Sequence, residues 1–132
     1  MPPERWPPDD PREWLNRARS NLLRSRAILP GVYLEDLCFD AQQAAEKAIK
    51  AVFIARGVDF PFVHDLARLL ALLRQSGESI PPEVADATEL TQYSVVPRYP
   101  GATEPVSAED HRHAVASAEA VVAWAEERVG AV

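Results

Sequence analysis

Three observations predict an all-α fold. Apolar residues recur at three and four over long stretches, no stretch alternates at period two over strand length, and each break carries proline or glycine. The expected architecture is an up-and-down helical bundle of four main helices plus a short extra helix, antiparallel where the connections are short. The 132 residues suit one domain, and a chain of this size buries roughly two thirds of its unfolded surface. It can build its own core without disulfide or metal.

The elements follow in order. Residues 1–10 hold four prolines and read as a disordered or loosely docked arm before a single helical domain over 11–132. Asp10-Pro11-Arg12-Glu13 is a helix start, with Asp10 to cap, Pro11 at the first helical position and Glu13 as the capping-box acid. The first helix is expected over Pro11–Leu29, with Trp14, Leu15, Ala18, Leu22 and Leu29 on its apolar stripe. The second is expected over Tyr33–Arg56 and stops at Gly57, which frees the chain to turn left-handed. Its apolar face is dense in alanine, which lets neighbouring helices approach closely, and Glu46 and Lys50 form an i,i+4 pair assigned to the exposed side.

The third helix is expected over His64–Gln75, with Leu66, Leu69, Leu70 and Leu73 inward. The short fourth begins near Pro82 and carries Val84, Ala87, Leu90 and Tyr93. Three prolines and a glycine constrain the loop over 97–105. Ser107 then caps the last helix, with Asp110 completing a shortened capping box. Its core face is Ala114, Val115, Ala118, Val121, Val122, Ala125 and Val129.

Charge bounds the function. The net charge of −6 argues against a protein that coats nucleic acid with a basic surface, though not against a local site. Residues 1–30 hold six Arg against four acids, and residues 76–132 hold three Arg against ten acids. A basic first helix and an acidic last helix can pair within one bundle or across a dimer, or can be two solvated faces. The single cysteine, Cys38, allows no intrachain disulfide, and its place on the apolar face of the second helix makes it core. No apolar run approaches the roughly 20 residues that span a bilayer, and the start MPPERWPPDDP is no secretory leader. A cytoplasmic protein without a membrane partner is the expectation.

Few residue groups carry chemistry, and each has a structural alternative. His64-Asp65 can bind an anion or move a proton where a helix opens, or can cap and wedge the loop there. Arg98-Tyr99-Pro100-Gly101 can hold a phosphate and stack a base, or can satisfy the carbonyls at a helix end. His111 and His113 point about 200° apart on a helix, so they cannot share one ion, and Asp110 with His113 makes only two ligands. No metal site is assigned. Arg17, Arg19, Arg24 and Arg26 can track a nucleic-acid backbone or form a solvated helix side.

The segment AQQAAEKAIKA of the second helix, the His64-Asp65-Leu66 junction and the later Tyr93…Arg98-Tyr99-Pro100-Gly101 stand in a fixed order. In that order and spacing they resemble the HEPN domain family (higher eukaryotes and prokaryotes nucleotide-binding). The resemblance covers Trp14 to Val129, nearly the whole chain. It implies a helical bundle, a homodimer, and binding of nucleotide or RNA. It also implies work beside a minimal nucleotidyltransferase in a toxin–antitoxin-like pair. The ligand-binding residues it carries over are Gln43, Lys47, His64, Asp65, Tyr93, Arg98 and Tyr99.

Family members that cleave RNA carry an Arg followed after four to six residues by a His. Here Arg98 has Thr103, Glu104 and Pro105 where that His would stand. The reading is therefore a binding member without RNase activity, with no catalytic residue and no cofactor. Two alternatives remain beside it. One is a metal-independent RNase that uses Arg98 with a displaced His64, and the other is a ligand-free dimeric scaffold for a partner protein.

Overall fold

A computed structural model describes residues 1–94 and 105–130. The helices are α1 (Pro11–Ser25), α2 (Leu34–Arg56), α3 (Leu66–Gln75), α4 (Pro82–Asp86) and α5 (Ala108–Gly130), with a 3₁₀ segment, Ala87–Tyr93, continuing α4. Among the described residues there is no strand. The bundle is all-α, as the periodicity predicts.

Helix α2 is the axis of the molecule. It packs against α1 on one side and α5 on another, with the 3₁₀ segment and α3 completing the surround. Ala41, Ala44, Ala45, Ala48 and Ala51 are fully buried there. Small side chains let two long helices press onto α2 at once, while Ile49, Val52 and Phe53 fill the remaining space. The alanine surface is thus consumed inside one chain. Part of the charge asymmetry is also met inside the chain, because Arg19 pairs with Glu126 and Arg26 with Glu119, each at 2.7 Å, stitching α1 to α5.

The helix starts obey local chemistry. The Asp10 carboxylate accepts from the Arg12 backbone N–H, and the Asp65 carboxylate accepts from those of Ala67 and Arg68. Ser107 and Asp110 form the reciprocal capping box, at 3.0 and 3.1 Å. Gly57 ends α2 at φ 69°, and the next N–H, of Val58, returns to the Phe53 carbonyl.

Several boundaries and orientations differ from expectation. Helix α1 ends at Ser25 rather than Leu29. Its Ser25 carbonyl accepts from His111 Nε2 of α5 at 2.7 Å, and Pro30 has no N–H with which to extend the ladder. Leu29 consequently leaves the core and is 58% exposed. Tyr33 and Asp65 are caps rather than helical residues, so α3 begins at Leu66 and His64 is free of it. Trp124 is buried on α5 beside the expected face, and Val115 and Val129 are only partly covered.

The proline-rich arm lies against α1. The Trp6 N–H donates to Glu13, Trp14 Nε1 donates to the Pro8 carbonyl, and the Arg12 guanidinium sits 3.5 Å over the Trp6 ring. No helix among the described residues is long and apolar enough to cross a membrane.

Candidate functional site

The chemistry gathers where the polar stripe of α2 meets α1 on one flank and the loop after Gly57 on the other. Two polar chains run there. The first begins at Glu46, which is 4% exposed. Its Oε1 accepts from Gln42 Nε2 at 3.0 Å and from His64 Nδ1 at 2.8 Å, while Oε2 accepts from Lys50 Nζ at 2.9 Å. Gln43 extends the chain by donating to Gln42 Oε1 at 2.7 Å. The pairing of Glu46 with Lys50, placed on the exposed side by its spacing, is in fact buried, at 6% and 8% side-chain exposure. The loop after Gly57 folds back over it, with the Phe60 ring 5.2 Å from Lys50 Nζ and edge-on to Trp14 and Phe53.

Burial pushes the Glu46 carboxyl up. The hydrogen bonds from Gln42, Lys50 and His64 outweigh it and hold the group below the usual glutamate range. An ionised Glu46 requires a proton on His64 Nδ1. The exposed ring, whose side chain is 63% accessible, therefore presents Nε2 outward in a fixed tautomer.

The second chain joins α1 to α2. Lys47 Nζ donates to Asn21 Oδ1 at 2.7 Å, and Asn21 Nδ2 donates to Asp40 Oδ1 at 3.1 Å. The Arg24 guanidinium stands 3.5 Å from the same Asp40 oxygen. Burial lowers the Lys47 pKa, and the charges of Arg17 and Arg24 add to that against the pull of Glu46 and Asp40. Lys47 also borders a hollow of about 250 Å³ with Pro8, Glu13, Trp14 and Arg17.

Of the residues singled out in the sequence, Gln43, Lys47 and His64 lie along this stripe of α2. Asp65 is spent on capping α3. Tyr93 lies elsewhere, in a small hollow of about 100 Å³ with Glu89, Leu90, Asp110, His113, Ala114 and Ser117. Burial raises its hydroxyl pKa, with Cys38, Asp110 and Glu89 adding to the effect. Arg98 and Tyr99 lie outside the described residues.

Glu46, Gln42, Asn21 and Asp40 belong to the site although sequence motifs did not nominate them as ligands. Gln42 and Glu46 stand with Lys50 in a polar row one turn apart, a spacing that a wet helix face shares, and no pattern in the sequence marks Asn21 or Asp40. Such a row reads as an inward network once a loop is known to cover it.

His111 is buried on the Ser25 carbonyl, and His113 is exposed, 3.9 Å from Glu89. No group of three potential metal ligands occurs among the described residues. Cys38 is buried, and burial pushes its thiol up to about 11, far from a nucleophile's range.

Comparison with known proteins agrees in extent with this architecture. The family model described as HEPN domain matches residues 11–128. The crystal structure of TT1696 from Thermus thermophilus is similar, with 33% identity and a TM-score of 0.73 over 89% of this chain and 97% of that one. The crystal structure of ST0689, described as an archaeal HEPN homologue, shares the fold at 22% identity and a TM-score of 0.71, over 91% of this chain and 98% of that one. No curated protein matches the chain.

Proposed function

The chain belongs to the HEPN domain family, and on that premise we propose that it binds a nucleotide or RNA along the polar stripe of α2. We read it as a homodimer that works with a minimal nucleotidyltransferase partner in a toxin–antitoxin-like pair, without cutting RNA itself. The observation that carries the binding reading is the series Arg17, Gln43, Lys47 and His64 on one side of the bundle, with Glu46 and Asn21 holding two of them from behind. Cations and amide donors in such a row suit phosphate oxygens. Trp14, half-buried beside Arg17, offers an aromatic face to a base. Arg98 and Tyr99 join this reading on sequence alone.

The test is fluorescence anisotropy with labelled ATP and a short single-stranded RNA, on wild type and on Arg17→Ala, His64→Ala and Arg98→Ala. Wild type should bind saturably and more weakly at higher salt. Each variant should bind about tenfold more weakly, the usual loss for one charge-assisted contact. Binding that all three substitutions leave unchanged sinks the assignment.

One observation favours a second reading. A histidine whose Nδ1 is held by a buried carboxylate, with Nε2 facing solvent, has the arrangement of a general base. RNA integrity in the same samples tests it, because cleavage by wild type that disappears in His64→Ala would make this chain an RNase.

A further inference from the structure

The proline-rich arm runs beside the candidate site, and one carboxylate joins the two. Glu13 Oε1 accepts from the Trp6 backbone N–H at 3.0 Å, while Glu13 Oε2 accepts from Arg17 Nε at 2.6 Å. The Glu13 side chain is 12% exposed and that of Arg17 is 56% exposed. The cation that the binding reading offers to a phosphate therefore already holds an anion, and the arm helps to fix that anion in place.

The arm also walls the space on both sides of Arg17. Pro8 closes the hollow of about 250 Å³ that Trp14, Arg17 and Lys47 border. Pro2, Pro3 and Arg5 line a second hollow, of about 210 Å³, with Asn16 and Arg17. Yet the arm's hold is shallow. No residue from 1 to 10 is buried, and only Trp6 and Asp10 are even partly covered. Its backbone is held at the Glu4 carbonyl by Asn16 Nδ2, at the Trp6 N–H by Glu13 and at the Pro8 carbonyl by Trp14 Nε1. The Arg12 guanidinium over the Trp6 ring adds a fourth contact. A few surface contacts of this kind hold a segment that opens at low free energy.

We propose that the arm is an autoinhibitory strap, which presents Glu13 to Arg17 as a stand-in for a phosphate and leaves α1 when a phosphate-bearing ligand takes that place. The proposal rests on the binding reading above and names the regulation of that site. A phosphate oxygen on Arg17 repels the Glu13 carboxylate. A carboxylate that swings away gives up the Trp6 N–H as well. Ligand and arm thus compete, and by linkage each weakens the other by the same factor. Departure of Pro8 also uncovers Lys47 and frees the Trp14 indole N–H, so the cations and the aromatic face open together.

The test uses the full chain and a labelled short single-stranded RNA. Glu13→Gln keeps the shape and removes the competing charge, and it should bind RNA about tenfold more tightly than wild type in anisotropy titrations. Trp6→Ala and Asn16→Ala change no charge and leave Trp14, Arg17 and Lys47 in place. Each should tighten binding by about threefold, because apparent affinity follows the fraction of chains with the arm undocked. Circular dichroism should show all three variants folded.

Limited digestion with trypsin reads the arm directly. The Arg5–Trp6 bond lies among the groups that α1 holds, so its cleavage follows the undocked population. RNA should speed the loss of residues 1–5, followed by mass spectrometry, while a small chromogenic substrate shows trypsin itself unaffected. Cleavage that RNA leaves unchanged or slows overturns the strap. A gain in affinity confined to Glu13→Gln reports repulsion alone and overturns the arm's part, with the binding reading still standing. RNA binding that appears only in the variants supports the strap, and a chain that binds no RNA in any form overturns both readings.

Discussion

Glu46 is the centre of the buried polar chain on α2. It is buried, it accepts from three side chains, and it is the counter-charge of an equally buried Lys50. Replacing it by Gln keeps the shape and leaves Lys50 without its partner. The expected loss is about 3 kcal/mol, because breaking a buried pair strands the remaining charge. Urea unfolding of Glu46→Gln against wild type measures it, and a loss below about 1 kcal/mol would mean that water reaches Lys50.

The same residue sets a pH dependence. Its folded-state pKa lies below the ordinary glutamate value of 4.5, so protons bind the unfolded chain more readily. The stability it contributes is whole above about pH 4.5 and is lost as pH falls through the lowered folded value. Urea midpoints between about pH 6 and 3 should therefore fall less steeply in Glu46→Gln than in wild type. None of this was legible at the residue level. An i,i+4 Glu–Lys pair has the same spacing on a wet face as on a dry one, and only the return of Phe60 over Lys50 decides between them.

At the scale of the element, starts and stops were mostly written in the sequence. Asp10-Pro11, Ser107 with Asp110, and Gly57 each do locally what their residue types allow. Gly57→Ala isolates the backbone contribution, because a Cβ added there meets no atom within 4 Å. The cost should be about 1 kcal/mol, the penalty for an L-residue at positive φ, read as a lowered melting temperature. Where an element was misjudged, the cause was tertiary. Apolar periodicity carries α1 on to Leu29, but its last carbonyl is claimed by His111, eighty-six residues away in sequence. His64 was placed inside α3, but Asp65 takes the cap and leaves the imidazole to cross to α2.

At the scale of the whole molecule, the bundle and its central helix were legible, since an alanine-rich amphipathic run of this length has few other uses. The partnering of charge was legible in kind but not in place. Arg19–Glu126 and Arg26–Glu119 are intrachain pairs, close to half exposed, and such pairs contribute about 0–1 kcal/mol each. Raising salt to molar levels should therefore move the unfolding free energy by about 1 kcal/mol or less, as denaturant titrations can verify. A larger drop would give these bridges a weight their exposure does not suggest. The candidate site was half legible. Gln43, Lys47 and His64 were nominated by motif, but Asn21, Asp40 and Glu46, which position them, become visible only when helices are laid side by side.

The tryptophans divide the molecule for an observer outside it. Trp6 lies beneath a guanidinium in the arm and Trp14 meets the Phe60 ring, whereas Trp124 is buried on α5 with its indole N–H unpaired among the described residues. Excited together, they emit from two different environments, one at the seam of arm and loop and one in the interior. Emission colour will therefore distinguish release of the arm from melting of the bundle, without any label being attached.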